Sequence, residues 1–283
     1  MAISVCIIAG NNAGRLARTL SLLHAAAKGR HMTGCLIAPH LSPAALSFAR
    51  AYVAADARFS LHELALSDGA HALNSYVHHY APPANYHVVI DADIEPCEGA
   101  IAELCDTLAR QPDAYGATAL SASGRTRKAW AERTILYQGL NRQMFALSRE
   151  CVLRLRAQQI YLPLGLEGVD GLIAYLLLTD LAGGPQADAH HRLAVADGAF
   201  FVFEETPLSP KGAAILASRL TRRARRRIQN EILYCLLKRE GVGAMPVTAV
   251  ELHRLAKKRR LEPRRDPVNW WFDRIVLDEI AAS

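Results

Sequence analysis

The sequence predicts an α/β fold in which a mixed sheet is flanked by helices and followed by a basic, helical C-terminal extension. In residues 1–118, short apolar runs rich in β-branched residues alternate with segments of helical periodicity. Short connections join these segments, an order typical of parallel strands covered by helices. From Lys211 onward the pattern becomes helical and basic. We therefore expect a main domain of residues 1–210 and an extension of residues 211–283.

The first half of the main domain gives the clearest order of elements. Apolar runs predict strands at residues 3–8, 35–38, 59–64 and 87–90. Helical periodicity predicts helices at residues 16–23, 43–55, 70–80 and 99–109. Pro43 stands at the start of the second helix, where the N–H that proline lacks would have no helical partner. The alternation implies a parallel, doubly wound arrangement of these four strands.

After residue 118 the regular alternation stops. The run at residues 143–147 predicts a further strand. The apolar segment at residues 172–182 contains Asp180 and is closed by Gly183-Gly184, so we expect a buried helix there. In this half, the polar and aromatic residues that suggest a binding role are residues 125–128 and Trp130.

Composition supports a folded protein. Hydrophobic residues make up 51% of the 283 residues and charged residues 21%, which is typical of globular chains. The six cysteines include no Cys-x-x-Cys pair, so we expect reduced thiols and a cytoplasmic location. The first strand begins without a basic leader, and no segment approaches the roughly 18 apolar residues of a membrane span. The formal net charge is +6, with many cations at residues 219–227 and 257–265.

The strongest candidate for chemistry is Asp91-Ala92-Asp93, which directly follows the fourth predicted strand. Ligands bind open α/β sheets beyond the carboxyl ends of the strands, so the loops at residues 11–12, 38–40 and 91–93 should meet at one crevice. Two carboxylates one residue apart can both turn toward a hard cation such as magnesium or manganese. An Asp-x-Asp alone also caps turns, and its place at a strand end favours the metal site.

Asp170 is the second acidic candidate. It lies where a loop gives way to the apolar helical segment. A carboxylate there can remove a proton from an acceptor hydroxyl while a metal ion neutralises charge on a departing diphosphate. The alternative is a helix N-cap that satisfies free backbone amides.

The order of these features resembles glycosyltransferase family 2, whose inverting enzymes have the GT-A fold. Residues 3–12 with Arg15-Leu16 look like the family's opening strand and nucleotide-binding loop. Ile90-Asp91-Ala92-Asp93 is similar to its metal motif, and Asp170 occupies the place of its catalytic base. Residues 199–203, followed by the basic run at residues 219–227, resemble its closing strand and basic helix.

The resemblance implies a nucleotide-binding half at residues 1–118 and an acceptor half at residues 119–210. It implies Asp91 and Asp93 as ligands of Mn2+ or Mg2+, and Asp170 as the catalytic base. The residues it implies for binding a nucleoside-diphosphate sugar are Ala9, Asn11, Asn12, Asp68, Asn74, Asp91, Ala92 and Arg222. A UDP-sugar is favoured as donor. The acceptor would be a glycan or a lipid-linked molecule in glycolipid or surface polysaccharide synthesis.

The chain departs from the family pattern on the nucleoside side. Members usually carry Pro-Ala-Tyr-Asn-Glu where this chain has Ile8-Ala9-Gly10-Asn11-Asn12, and an acidic residue where this chain has His40. The closing Gln-x-x-Arg-Trp of processive relatives is also missing, which favours a single addition over polymer synthesis. These departures leave the base of the donor open.

Other interpretations stay open for several of these residues. Asn11 and Asn12 can serve an unusual turn, and Asp68 and Asn74 can be a helix cap and a surface amide. His190 and His191 are either surface residues or additional metal ligands.

The basic run at residues 219–227 can be a solvated helix face, or it can bind diphosphate or anionic lipid. Trp270-Trp271 near Arg264-Arg265 adds the possibility of peripheral contact with the cytoplasmic face of an anionic membrane. No nucleic-acid partner is expected, since no module of that kind is recognisable.

Two other functions compete with transfer of a sugar. A sugar-phosphate nucleotidyltransferase shares this kind of sheet but usually begins with a glycine-rich loop that binds triphosphate, and residues 9–15 match such a loop poorly. A non-catalytic, nucleotide-binding descendant of the fold would explain the altered residues of the first loop.

Overall fold

One eight-stranded mixed sheet organises the chain, with the strand order β3-β2-β1-β4-β7-β6-β8-β5. The computed structural model describes residues 2–184, 189–204, 210–256 and 261–282. The strands are β1 Ile3–Ile8, β2 Met32–Pro39, β3 Phe59–Leu64, β4 Tyr86–Asp91, β5 Ile94–Pro96, β6 Gly116–Ser121, β7 Met144–Ser148 and β8 Leu193–Phe203.

Helices cover both faces of the sheet and form the C-terminal region. Those of the main domain are α1 Ala13–Ala26, α2 Pro43–Ala55, α3 Gly69–Ser75, α4 Ala100–Arg110, α5 Arg127–Tyr137, α6 Arg149–Ala157 and α7 Val169–Leu178. The C-terminal ones are α8 Pro210–Glu240, α9 Ala249–Ala256 and α10 Pro267–Ala282. A π-helical segment, Tyr76–Tyr80, continues α3, so the helix predicted at residues 70–80 has two parts.

The parallel half matches the sequence prediction. Strands β3, β2, β1 and β4 pair in parallel, and β1 is buried along almost its whole length. Burial on both faces explains why β1, β2 and β4 read as apolar runs, whereas β3, at the edge of the sheet, is only partly buried. Helix α2 has the predicted bounds because Ser42 caps its N-terminus by accepting a hydrogen bond from Ala45 N, and Pro43 follows that cap.

Beyond β4 the sheet becomes mixed. Strand β7 pairs antiparallel with both β4 and β6, and β5 pairs antiparallel with β8. The parallel, doubly wound arrangement therefore holds for the four strands from which it was inferred and ends there. The strand predicted at residues 143–147 is β7, shifted by one residue. The run at residues 199–203 is the second part of β8.

Apolar side chains form one core on each face of the sheet. Leu16 of α1 and Leu104 of α4 belong to the core on one face. The other core includes Leu172 of α7 together with Ile228 of α8 and Val276 of α10. The C-terminal helices therefore pack against the α/β domain and share a core with it.

The apolar segment around residue 172 forms the buried helix α7, as predicted. Among the residues that the structure describes, none of the helices combines the length and apolar character needed to cross a bilayer. Part of the basic run at residues 257–265 lies outside the described residues.

Candidate functional site

The loop after β1 is tied to the start of α2. Ser42 N donates a hydrogen bond to Asn11 Oδ1 at 2.7 Å, and Ser42 Oγ donates to the Asn11 carbonyl at 3.1 Å. Asn12 caps α1 by accepting from Arg15 N at 3.1 Å. Ala9 is buried, and its N–H donates to the Ile37 carbonyl. Both asparagines thus shape this loop, and their contact with a nucleotide stays a prediction.

Asp91-Ala92-Asp93 stands at the carboxyl end of β4, as predicted. Ala92 is buried, its N–H donates to the Ile8 carbonyl at 3.0 Å, and its carbonyl accepts from Thr19 Oγ1 at 3.0 Å. With the middle residue held inside, the flanking carboxylates are presented at the edge of the sheet. The Asp93 side chain is 50% exposed and that of Asp91 is 21% exposed.

Two arginines accompany these carboxylates. Arg142 Nη2 lies 3.5 Å from Asp91 Oδ2, and Arg15 Nη1 lies 3.6 Å from Asp93 Oδ1. Arg15 also forms an ion pair with Glu204. Burial raises the pKa of Asp91 and the neighbouring Asp93 adds to the rise, while Arg142 opposes it. The site therefore favours positive charge beside Asp91.

The two carboxylates suit a hard divalent cation that takes its other ligands from elsewhere. No cluster of three or more His, Cys, Asp or Glu side chains arranged to hold a metal occurs in the described part of the chain. Mg2+ usually keeps several waters and binds through one or two carboxylates plus substrate phosphates. The raised pKa of Asp91 also fits a cation site, because a bound cation would offset the cost of burying the negative charge of Asp91.

Asp170 lies in the first turn of α7 with its side chain only 7% exposed. The residue at the N-cap position is Gly168, so the interpretation of Asp170 as the helix cap is wrong. Asp170 Oδ2 forms an ion pair with Arg226 Nη2 at 2.7 Å. Its other oxygen, Oδ1, is buried and has no hydrogen-bond partner among the described residues.

Two glycines let α8 approach the start of α7. A Cβ built on Gly168 would lie 2.2 Å from Asn230 Oδ1, and one on Gly171 would lie 2.4 Å from Asn230 Nδ2 and 2.7 Å from the Tyr234 hydroxyl. A larger residue at either position would force the Asn230 or Tyr234 side chain to move. The close approach places Arg226 of α8 against Asp170.

Asp93 and Asp170 line the same cleft, which has a volume of about 1130 Å3. Helices α5, α7 and α8 form much of its wall, and the predicted residue Arg222 lies on it. Arg127 and Trp130, from the segments that sequence analysis singled out, line it too. The contribution of α5 was not predicted, because this helix buries none of its residues and lacks an apolar stripe.

Asp68 and Asn74 connect separate segments of the chain through hydrogen bonds. Asp68 Oδ1 caps α3 at His71 N, and its Oδ2 accepts from Gly165 N at 2.9 Å. The Asn74 side chain exchanges two hydrogen bonds with the Leu162 backbone, at 2.8 and 2.9 Å. Like Ala9, Asn11, Asn12 and Asp91, neither residue is among those that line the cleft. Both have a structural role, and their contact with a nucleotide sugar stays a prediction.

His190 lies outside this cleft. Its ring shares a 2.5 Å hydrogen bond with Gln138 Oε1, while His191 is exposed. Neither histidine lines the cleft with Asp93.

No protein-family model and no curated protein sequence matches the chain. Solved structures do match. A mannosyltransferase from Pyrobaculum calidifontis, PcManGT, in complex with GDP-Man and Mn2+, superposes with a TM-score of 0.65. It is 17% identical, and the match covers 99% of this chain and 75% of that one. TarS residues 1–349 from S. aureus in complex with UDP-GlcNAc gives a TM-score of 0.53 and 11% identity, covering 100% of this chain and 92% of that one.

These similarities define the fold. The chain has a GT-A-like fold, a mixed α/β sheet flanked by helices, and these two structural neighbours are glycosyltransferases in complex with sugar nucleotides. The fold that the sequence resemblance implied is confirmed.

Proposed function

We propose that the chain is a glycosyltransferase that moves a sugar from a nucleoside-diphosphate sugar to an acceptor hydroxyl, with inversion at the anomeric carbon. The observation that carries this proposal is the common cleft of Asp93 and Asp170. One carboxylate follows the end of β4, where α/β sheets bind ligands, and the other lies in the first turn of α7 on the same cleft.

Asp91 and Asp93 would hold Mn2+ or Mg2+, as the sequence resemblance implies. When bound, such a cation neutralises the charge that develops on the leaving nucleoside diphosphate. Arg142, next to Asp91, lines the cleft and adds positive charge on the same side. Arg222 of α8 is the arginine we assign to the diphosphate. Asn11 and Asn12 stay candidates for contact with the nucleoside, together with buried Ala9.

Asp170 would act as the general base. The acceptor hydroxyl would donate its proton to Asp170 Oδ1, the oxygen with no other described partner. The hydroxyl oxygen would then bond to the anomeric carbon on the face opposite the diphosphate, and the carbon–oxygen bond to the diphosphate would break. Arg226 holds Oδ2 and fixes the orientation of the carboxylate.

The structural neighbours support a sugar nucleotide as donor and leave its base open, because one is a complex with GDP-Man and the other a complex with UDP-GlcNAc. We favour a UDP-sugar from the sequence resemblance. The acceptor would be a glycan or lipid-linked molecule of glycolipid or surface polysaccharide synthesis. The location proposed is cytoplasmic, with peripheral contact between the basic C-terminal region and an anionic membrane.

The direct test incubates the full chain with a panel of UDP- and GDP-sugars, with and without MnCl2. Thermal shift reports binding, and release of nucleoside diphosphate reports turnover. We expect metal-dependent stabilisation by one nucleotide class and metal-dependent release. Stabilisation without release under any acceptor would favour the non-catalytic descendant. Pyrophosphate release from nucleoside triphosphate plus sugar phosphate would favour the nucleotidyltransferase.

A further inference from the structure

Positive charge dominates the wall of the cleft. Among the described residues, nine arginines and three acidic residues line it. Four of those arginines form ion pairs with described carboxylates: Arg142 with Asp91, Arg226 with Asp170, Arg227 with Asp273 and Glu231, and Arg264 with Asp273. The other five have no ion pair within the described part of the chain: Arg127, Arg133, Arg219, Arg222 and Arg223.

Three of the unpaired arginines lie on one face of α8. Arg219, Arg222 and Arg223 share this face with the paired Arg226, because the four positions follow the i, i+3, i+4, i+7 spacing. Helix α5 brings Arg127 and Arg133 to the same cleft. Like charges held together repel, so an anion bound between the helices would stabilise the arrangement. The donor diphosphate would account for part of this charge, through Arg142 beside the proposed metal site and through Arg222, which leaves the other unpaired arginines unexplained.

Trp130 lies near two of the unpaired arginines, Arg133 and Arg223. Its side chain is half exposed in the cleft, and α5 buries none of its residues, so core packing does not explain a tryptophan here. The guanidinium carbons of Arg133 on α5 and Arg223 on α8 each lie 5.9 Å from its ring centre. An aromatic ring with guanidinium groups positioned over it can contact a sugar that carries an anionic substituent.

We call Trp130, Arg133 and Arg223 the cluster. The position of Arg223 on α8 relates the cluster to the proposed base Asp170. Arg223 lies about one helical turn from Arg226, or roughly 5 Å along the helix axis, and Arg226 contacts the proposed base Asp170. We propose that the acceptor carries a phosphate or carboxylate within one or two sugar units of the hydroxyl that is glycosylated, and that Arg133 and Arg223 bind this anion beside Trp130. This inference rests on the proposed function.

The test measures binding of matched glycosides to the full chain by isothermal titration calorimetry. Methyl glucoside, methyl glucoside 6-phosphate and methyl glucuronide share a sugar ring and differ in charge. The donor side is first saturated with MnCl2 and the nucleoside diphosphate that binds. We expect one or both charged glycosides to bind at least about tenfold more tightly than the neutral one, because charge-assisted hydrogen bonds exceed neutral ones. The charged glycoside that binds more tightly identifies the anion as phosphate or carboxylate.

Variants assign the binding to the cluster. The double substitution Arg133→Gln with Arg223→Gln should remove most of the preference for charge, and Trp130→Ala should weaken all three glycosides. Arg110→Gln is the matched control, since this arginine is exposed on α4 and pairs with Glu103 away from the cleft. All the substituted side chains are exposed, and thermal unfolding verifies that each variant folds.

Three results would overturn the inference. The first is equal affinity for charged and neutral glycosides. The second is unchanged preference in the double variant. The third is loss of binding to phosphatidylglycerol vesicles in the double variant with unchanged binding of the soluble glycosides, which would make the cluster a membrane contact. If nucleoside diphosphate binds but charge has no effect, this inference alone fails. If charged glycosides bind but no nucleoside diphosphate does, the proposed function fails instead.

Discussion

The Asp170 carboxylate meets the Arg226 guanidinium at 2.7 Å across the contact of α7 and α8, while its second oxygen is buried without a hydrogen-bond partner in the described part of the chain. A buried acceptor left unpaired is unfavourable by about 1–3 kcal/mol, and more when charged. Such a group is expected where a substrate supplies the missing donor. The glycines at 168 and 171 leave room for the Asn230 and Tyr234 side chains where the two helices meet.

Replacing Asp170 with Asn tests the proposed base. The amide keeps the shape of the side chain but cannot accept the hydroxyl proton, so we expect transfer to fall at least about a hundredfold. Donor binding should change less than about threefold, because Asp170 is assigned to the acceptor side. Nucleoside diphosphate release and calorimetry measure the two effects. Near-normal transfer by the folded variant would remove Asp170 from the role of base.

Substitution of Asp91 or Asp93 with Asn tests the metal site separately. Each change removes a carboxylate ligand, so Mn2+-dependent binding of nucleoside diphosphate should weaken at least about tenfold. Calorimetry with and without MnCl2 measures this. Glu95→Gln is the control, because Glu95 lies two residues further along and pairs with Arg18 at 3.1 Å. If all three variants retained metal-dependent binding, the assignment of the two aspartates would be wrong.

The sequence predicted the parallel half of the fold because local patterns encode it. Strands buried on both faces read as apolar runs, and Ser42 with Pro43 marks the beginning of α2. The same logic placed Asp91 and Asp93 at the edge of the sheet, since the end of a buried strand can be read directly. The Asp-x-Asp segment is therefore the part of the candidate site that sequence specified best.

The remaining features depend on contacts between distant segments. Strand β5 has only three residues, too few for a period-2 pattern, and it is defined by pairing with β8. The contacts of Arg142 with Asp91 and of Arg226 with Asp170 join different elements, so no spacing rule indicates them. Helix α5 shows no apolar stripe because its inner face lines a cleft instead of a core.

Asp273 should be a main determinant of how α10 docks on α8. Its side chain is fully buried and accepts from Arg264 Nη2 at 2.8 Å, Arg264 Nε at 2.9 Å and Arg227 Nη2 at 3.0 Å. Asp273→Asn should lower the free energy of unfolding by about 2–4 kcal/mol, because two arginines lose their anionic partner. Asp278→Asn, at an exposed i, i+4 pair with Arg274, should change it by less than about 0.5 kcal/mol. Urea denaturation measures both.

The lowered pKa of Asp273 predicts that the free energy of unfolding decreases in acid. Burial alone would raise the pKa of Asp273, but hydrogen bonds from Arg264 and the charges of Arg227 and Arg264 outweigh it, and the pKa is lowered. The stability it contributes is therefore present above the ordinary aspartate pKa and is lost as pH falls through the folded value. In Asp273→Asn this part of the acid sensitivity should be absent, and equal acid sensitivity would contradict the prediction.

His87 should produce a loss of stability at milder acidity. It is 2% exposed in β4, its Nδ1 shares a 3.0 Å hydrogen bond with the Tyr76 hydroxyl, and burial together with the charge of Arg156 lowers its pKa to about 4. The unfolded chain, with an ordinary histidine pKa near 6.5, binds the proton first as pH falls. Stability is therefore complete above the unfolded pKa and is lost as pH falls from there toward the folded value.

Between about pH 7 and pH 5 this group should remove roughly 2 kcal/mol from the free energy of unfolding. Burial also lowers the pKa of His62, His78 and His253, so the difference between parent and His87→Asn isolates the contribution of His87. The variant is expected to be less stable at neutral pH and to have a shallower pH dependence. Urea denaturation at intervals across this range provides the comparison, and parallel curves for the two proteins would show that His87 does not titrate in this way.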